Sequence, residues 1–329
     1  MTAARLLALL VVLLGAAAAG LLAVGAFSSG GGADPPPAVR TVARLAPRVS
    51  SEELQREVGP LPATAGASRV DLSQPSLMSY LRLERGPKAG LAFDLADGTI
   101  LWRRHARAVR PVASLTKLMT ALLAVERFEP GDSVRIPRVA DEVGGSRMAG
   151  LAPGRRVRAN VLLKGLLIAS SNNAAIALAV AGAGSERAWV GLMNRRAQLL
   201  GLTCTHYADA HGLNPRNRSC AADLAVLAMR AMNEPRIAAI ARKRYARVWP
   251  GAGRKLTLYS TNHLLRSHYP GAIGLKTGYT SPAGHCLVAI VQRGSRRIGV
   301  ILLGSRNAFF DARRLAREAA RVGALPAAT

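Results

Sequence analysis

Cysteine, aromatic residues and acidic residues are all scarce in this 329-residue chain. It contains 3 Cys, and Phe, Tyr and Trp together make up 4% of the residues. So few cysteines exclude a disulfide-dense miniprotein and a domain that binds several zinc ions. Only one long uncharged apolar run is present, which excludes a protein with many membrane-spanning helices. Half of the residues are hydrophobic, and this is enough for one large core or two small ones.

Positive charge is abundant, since 45 Lys and Arg stand against 19 Asp and Glu and give a formal net charge of +26. Such an excess attracts polyanions, including nucleic acid, anionic lipid and acidic wall polymers. A genomic bias towards arginine codons explains the same composition without any binding role. Only 6 of the basic residues are lysine, so a lysine within a motif is informative.

The N-terminal segment predicts export. Residues 6–27 form an uncharged apolar run of 22 residues that follows Arg5, and this length is enough to span a bilayer as a helix. The small residues at 24–26 fit a secretory signal cleaved after Ala26, whereas the length of the run fits an uncleaved anchor. Residues 1–27 are therefore expected to be a signal peptide or a membrane anchor, which places the protein in the periplasm or at the outer face of the cytoplasmic membrane.

Residues 28–79 have the composition of a disordered tether. They hold 7 of the 18 Pro and no aromatic residue. Such a segment buries too little apolar surface to offset the entropy lost on ordering. Aromatic residues and periodic apolar segments begin at Tyr80, so we expect one globular domain over residues 80–329.

Apolar periodicity in this domain predicts an α+β fold. Strands are predicted over residues 91–95, 99–102, 244–249, 255–259, 272–277, 285–292 and 297–304. Helices are predicted over residues 114–126, 158–169, 172–182, 185–200, 219–232 and 309–322. This order favours a sheet on which the terminal helices pack, with a helical insert.

Ser114 and Lys117 form the first candidate site. Positions i and i+3 share one face of a helix, so the hydroxyl and the ammonium can meet. A serine hydroxyl is a poor nucleophile unless a base takes its proton, and a lysine is such a base when burial or a second cation lowers its pKa. The same spacing also fits a helix start followed by a surface lysine.

Two further polar motifs follow along the chain. Ser170 and Asn172 lie in a break between two apolar helices, which fits either a helix stop with an N-cap or a proton relay beside a substrate-holding amide. Lys276, Thr277 and Gly278 lie at the end of a predicted strand. There they offer a cation, a hydroxyl for a carboxylate, and a glycine that lets a substrate backbone come close.

Taken in this order, the three motifs resemble those of penicillin-recognising serine enzymes. The likeness covers residues 90–305 and includes the segments PVASLTKLMTALLAVE, STNHLL and GLKTGYTSPAGHCLV. This part of the chain resembles the D-alanyl-D-alanine carboxypeptidase family, and the segments STNHLL and AGHCLV are most similar to its D,D-endopeptidase branch. The resemblance implies a β-lactamase/transpeptidase-like fold, in which helices flank an antiparallel sheet beside an all-helical subdomain.

The resemblance also implies a reaction. It is that of a serine D,D-peptidase, an endopeptidase or carboxypeptidase that cleaves D-Ala-D-Xaa bonds in peptidoglycan stem peptides or crosslinks through an acyl-enzyme. Ser114 is then the nucleophile and Lys117 its general base. Ser170 takes part in proton transfer, and Asn172 holds the substrate backbone.

Substrate binding is implied for the third motif. Lys276 and Thr277 would bind the terminal carboxylate next to Gly278, and the backbone N–H groups of Ser114 and Tyr279 would form the oxyanion hole. β-Lactams are expected to acylate the enzyme, and no cofactor, metal or nucleic acid is expected. A membrane partner is expected only if the N-terminal segment stays uncleaved.

Two alternative functions stay open. A serine β-lactamase is disfavoured because the chain shows no Glu-x-x-Asn site of the kind that class A enzymes use for deacylation. A non-catalytic basic module that binds wall polymer is disfavoured by the three motifs. The 51 residues after Gly278 are too few for the extra β-domain of many carboxypeptidases, which favours the endopeptidase branch or a short carboxypeptidase.

The cysteines carry one more prediction. Cys204 and Cys220 stand where the resemblance leads us to expect Asn and Thr. Two unusual cysteines that bracket a 15-residue loop in an exported protein predict a disulfide. Cys286, flanked by predicted strand residues, is expected to be a buried free thiol.

Overall fold

The computed structural model describes residues 70–251, 253 and 255–322. The predicted signal or anchor at residues 1–27 and most of the predicted tether lie outside these residues. Within the described part, no helix combines the length and the apolar character needed to cross a bilayer.

A five-stranded antiparallel sheet forms the centre of the fold, with the strand order β2-β1-β11-β10-β9. Its strands are β1 (Ala89–Asp94), β2 (Ile100–Arg104), β9 (Ala272–Thr280), β10 (Gly284–Arg293) and β11 (Arg296–Ser305). Gly98 and Gly294 turn the β1–β2 and β10–β11 hairpins with positive φ angles of 80° and 57°, which glycine adopts without steric cost. Strand β9 lies at one edge of the sheet.

The sheet is buried on both faces because apolar side chains alternate between two cores. In β11, Val300 and Leu302 belong to one core while Ile301 and Leu303 belong to the other. Successive residues of a strand face opposite sides, so this run of apolar residues predicts cover on both faces. The C-terminal helix packs on the first face, and the larger helical part covers the second.

Helices and short strand pairs make up the rest of the described chain. The helices are α1 (Lys117–Arg127), α2 (Val139–Glu142), α3 (Ala159–Ile168), α4 (Asn172–Ala183), α5 (Glu186–Leu199), α6 (Ala221–Asn233), α7 (Pro235–Ala241), α8 (His263–Arg266) and α9 (Ala308–Val322). The two-stranded pairs are β3 (Arg110–Pro111) with β6 (Arg218–Ser219), β4 (Ser133–Arg135) with β5 (Arg156–Arg158), and β7 (Tyr245–Val248) with β8 (Leu256–Tyr259).

The predicted α+β fold is confirmed, and every predicted helix and strand is present. Helices α2, α7 and α8 and strands β3 to β6, each of seven residues or fewer, were not predicted. The domain boundaries stay a prediction, although ordered packing already includes residues before Tyr80. Met78 is fully buried, and its N–H donates to the carbonyl of Leu101 at 2.7 Å.

A disulfide joins Cys204 to Cys220, whose Cα atoms are 5.5 Å apart. The Asp223 carboxylate lies beside it, accepting hydrogen bonds from the N–H of Cys204 and the hydroxyl of Thr205 at 2.8 and 2.7 Å. Cys286 is a free thiol, and its burial raises its pKa to about 11. The disulfide closes the loop that carries residues 205–219.

We predict that the double variant Cys204→Ser/Cys220→Ser lowers the free energy of unfolding by about 3 kcal/mol, because a 15-residue loop is then no longer closed in the unfolded chain. Urea titration followed by tryptophan fluorescence measures the change. Wild-type protein in strong reductant should lose the same amount. Equal stability of the variant and the oxidised wild type would contradict a structural role for this bridge.

Candidate active site

Ser114 and Lys117 meet where a 3₁₀ turn enters helix α1. The turn spans Ala113–Thr116, and the Thr116 hydroxyl donates to the carbonyl of Ala113 at 2.8 Å. The Nζ of Lys117 lies 3.0 Å from the Oγ of Ser114, and the lysine side chain is fully buried. The structure therefore forms the serine–lysine pair that the i, i+3 spacing suggested.

Two carbonyl oxygens complete the surroundings of the Lys117 amine. Its Nζ donates to the Oδ1 of Asn172 at 2.7 Å and to the backbone carbonyl of His211. The Nδ2 of Asn172 donates to the carbonyl of Gly144 at 2.7 Å, which fixes the amide with Oδ1 towards the lysine. Lys117 thus contacts one hydroxyl and two groups that only accept.

Burial controls the protonation of both lysines of the site. It lowers the pKa of Lys117 well below its usual value, the nearby charge of Lys276 lowers it further, and Asp209 partly opposes the shift. Burial also lowers the pKa of Lys276 to about 7. A lowered pKa favours the uncharged Lys117 amine, which is the form that can take the proton of a serine nucleophile.

Ser170 lies between helices α3 and α4 and faces the second lysine. Its Oγ accepts a hydrogen bond from the Nζ of Lys276 at 2.9 Å, and its φ of 58° is unusual for a serine. The N-cap of α4 is the neighbouring Ser171, whose Oγ accepts from the N–H of Ala174 at 3.3 Å. The polar break is therefore both a helix boundary and part of the candidate site.

Strand β9 carries the third motif along the free edge of the sheet. The predicted strand ended at residue 277, but β9 continues to Thr280, so Lys276, Thr277 and Gly278 lie within the strand. The hydroxyl of Thr277 is 2.6 Å from that of Thr261. Tyr279, which follows, is 61% exposed, and its ring lies 4.6 Å from that of His285.

Gly278 allows β9 to approach the nucleophile closely. A Cβ built on Gly278 would lie 2.9 Å from the backbone N of Ser114 and 3.1 Å from the Cβ of Ala113. Real Cβ atoms essentially never come as close as 2.9 Å to another heavy atom of this kind. The glycine therefore sets the distance between the strand and the 3₁₀ turn.

The loop over residues 209–214, which carries the His211 carbonyl, was not predicted from the sequence to be part of the site. Its Asp209 carboxylate accepts hydrogen bonds from the N–H groups of His211, Gly212 and Asn214. Gly212 has a φ of 94°, and a Cβ there would lie 2.1 Å from the carbonyl oxygen of Ala113. An Asp followed closely by Gly is a turn signal, and it could have located this loop but not its contact with Lys117.

Comparison with known proteins gives a consistent picture. A family model described as D-alanyl-D-alanine carboxypeptidase matches residues 83–307. The carboxypeptidase DacF of Bacillus subtilis is 33% identical over 224 residues, covering 66% of this chain and 57% of that protein. A D-alanyl-D-alanine endopeptidase of Pseudomonas aeruginosa is 33% identical over 282 residues, covering 80% of this chain and 87% of that protein. This chain thus spans little more than half the length of DacF.

Solved structures are also similar. A D-alanyl-D-alanine carboxypeptidase from Mycobacterium tuberculosis has a TM-score of 0.69 at 30% identity, covering 78% of this chain and 98% of that one. The Streptomyces K15 DD-transpeptidase has a TM-score of 0.68 at 28% identity, covering 73% of this chain and 98% of that one.

We predict that Gly278→Ala slows acylation of Ser114 by a fluorescent penicillin about 100-fold, because the added Cβ pushes β9 and the 3₁₀ turn apart by a fraction of an ångström. Gel fluorescence against time gives the rate. Gly131→Ala is the matched control, since a Cβ there meets nothing within 4 Å. Identical rates for the two variants, both folded by circular dichroism, would contradict this close-approach argument.

Proposed function

This chain belongs to the D-alanyl-D-alanine carboxypeptidase family, and from that premise we propose that it is a serine D,D-peptidase acting on peptidoglycan. The bond cleaved is D-Ala-D-Xaa, and the intermediate is an ester on Ser114. The observation that carries the proposal is the buried Lys117 amine 3.0 Å from the Ser114 hydroxyl. The long N-terminal apolar run and a wall substrate together support export.

Acylation begins with the Ser114 hydroxyl. Its proton passes to the uncharged Lys117 amine as Oγ attacks the carbonyl carbon of D-Ala. The backbone N–H groups of Ser114 and Tyr279 are proposed to stabilise the oxyanion of the tetrahedral intermediate, and losing one such donor typically costs 10²–10³ in rate. Asn172 is proposed to hold the substrate backbone while its Oδ1 fixes Lys117.

Ser170 is proposed to move the proton from Lys117 to the departing amine. Its hydroxyl accepts a hydrogen bond from the Nζ of Lys276 at 2.9 Å. The carbon–nitrogen bond then breaks and leaves an ester on Ser114. Water attacks this ester with Lys117 again as base, which releases the new carboxylate and restores the serine hydroxyl.

The leaving group is proposed to bind through its carboxylate. Lys276 offers the ammonium and Thr277 the hydroxyl, and both lie on the free edge of β9. The pKa of Lys276 is about 7. A bound carboxylate stabilises the charged ammonium and therefore raises this pKa. This contact therefore favours the protonation state that binds the substrate.

Cleavage of crosslinks is the form of the activity that we favour. The segments STNHLL and AGHCLV are most similar to the endopeptidase branch, and the endopeptidase of Pseudomonas aeruginosa is 33% identical over 80% of this chain. Digestion of purified muropeptides decides between the two activities by mass spectrometry. Loss of crosslinked dimers indicates an endopeptidase, and loss of one terminal alanine indicates a carboxypeptidase.

We predict that Ser114→Ala abolishes covalent labelling by a fluorescent penicillin and all release of muropeptide products, because no other group in the site forms the ester. The folded state should persist, as measured by circular dichroism. Ser295→Ala, at an exposed position in the β10–β11 turn, should label like the wild type. Labelling that survives in Ser114→Ala would remove this serine as the nucleophile.

The protonation of Lys276 predicts a pH dependence. A lysine is charged below its pKa, so kcat/KM for a substrate with a free carboxylate should fall up to tenfold per pH unit above about 7. In Lys276→Arg the positive charge persists at higher pH, so the decrease in kcat/KM should shift to higher pH. A wild-type profile that is flat from pH 7 to pH 9 would contradict a carboxylate contact through this ammonium.

A further inference from the structure

A strongly basic groove lies outside the candidate active site. It runs between strand β5, the N-terminal half of helix α3 and the β7–β8 hairpin, and has a volume of about 720 Å³. Its cationic lining consists of Arg156, Arg158, Lys164 and Arg247. No aspartate or glutamate is among the described residues that line it. Four like charges in one concave surface produce a local positive potential.

The strands present these cations in a fixed direction. Arg156 and Arg158 are two residues apart on β5 and therefore share one face, with Val157 buried between them. Arg247 is exposed on β7, next to the buried Val248. Within the described residues, no ion pair or side-chain hydrogen bond uses any of the four cationic groups. Their charge is thus available to an anionic ligand.

An exposed tryptophan adds a second kind of contact. Trp249 lines the groove and is 59% exposed, whereas Trp102 and Trp189 are 4% and 0% exposed. An exposed indole beside cations offers a ligand both an apolar face and an N–H donor. The C–H face of a pyranose ring is a partner of this shape, and cations around it suit a sugar polymer that carries anions.

Both walls of the groove lead to the candidate active site. The residues of α3 that line the groove, from Asn160 to Lys164, precede Ser170 by ten to six residues, which places them about 9–15 Å from the site along this helix. The β7–β8 hairpin continues to Thr261, whose N–H donates to the carbonyl of Ile168 at 3.1 Å. The groove and the candidate site are therefore built on the same two elements of the fold.

We infer that this groove binds a carboxylate-bearing stretch of the peptidoglycan glycopeptide, about 9–15 Å from Ser170 along helix α3. The inference rests on the proposed function for the identity of the polymer. Peptidoglycan combines pyranose rings with peptide stems that carry free carboxylates, and these match the indole and the cations. A short stem peptide reaches only the catalytic site, so the groove makes the enzyme prefer the polymer.

Binding is tested in the Ser114→Ala background, where no cleavage takes place. We expect Arg156→Ala/Arg158→Ala/Arg247→Ala to weaken co-sedimentation with insoluble peptidoglycan about tenfold and to flatten its salt dependence. The control is Arg85→Ala/Arg187→Ala/Arg317→Ala, which removes three exposed arginines that do not line the groove. Equal weakening by both triple variants would show that only net charge matters and would overturn the inference.

The chemistry of the ligand is tested on the polymer. Amidation of the peptidoglycan carboxylates should abolish the difference between the two triple variants. Acid removal of phosphodiester-linked polymers from the wall material should leave that difference in place. If acid treatment abolishes it instead, the groove binds a phosphate polymer and the carboxylate assignment is wrong.

Kinetics separate this inference from the proposed function. In the wild-type background, the groove triple variant should lower kcat/KM for polymeric peptidoglycan about tenfold and leave that for a short D-Ala-D-Ala peptide unchanged. Equal loss on both substrates would show a general disturbance and overturn the inference. If the wild type cleaves neither substrate, the proposed function fails, while the binding measurement still decides whether the groove holds the polymer.

Discussion

The site depends on the Lys117 amine, which is completely buried. Burial lowers its pKa and so favours the neutral form, which has two N–H donors and one lone pair. The amine has three neighbours, and two of them, Asn172 Oδ1 and the His211 carbonyl, only accept hydrogen bonds. In the neutral form these two take both N–H groups, which leaves the lone pair to accept the proton of the Ser114 hydroxyl. The contacts thus set the direction of the base.

A second buried lysine, Lys276, further favours the neutral form of the Lys117 amine. Two ammonium groups in one desolvated site repel each other, so charge on Lys276 disfavours charge on Lys117. The two side chains have different partners, since Lys276 contacts the Ser170 hydroxyl and the carbonyl of Thr277. This arrangement suits Lys117 as the base and Lys276 as the carboxylate-binding cation. The two lysines come together because the 3₁₀ turn and strand β9 are in close contact.

Much of the fold could be predicted because its signals are local. The apolar runs of β10 and β11 and the glycines of both hairpins predict the bounds of those elements to within two residues. The His211 contact could not be predicted, because it uses a backbone carbonyl, which every residue has. Strands β3 and β6 span two residues each and exist only because tertiary packing brings them together. The same limit applies to Met78, whose burial depends on a distant strand rather than on its neighbours.

The polar break between α3 and α4 shows why structural and functional interpretations of one motif need not compete. A helix start requires acceptors for its free N–H groups, and here the Ser171 hydroxyl accepts from the N–H of Ala174 while the Ser146 carbonyl accepts from that of Asn172. The side chains of Ser170 and Asn172 take no part in this capping, and each contacts one of the two buried lysines. Ser170 directly follows the C-cap of α3 and has a φ of 58°, the left-handed conformation in which helices commonly end. The residue that ends α3 therefore also carries the hydroxyl that accepts from the Nζ of Lys276 at 2.9 Å. The helix boundary thus positions the candidate site, and neither interpretation of the motif excludes the other.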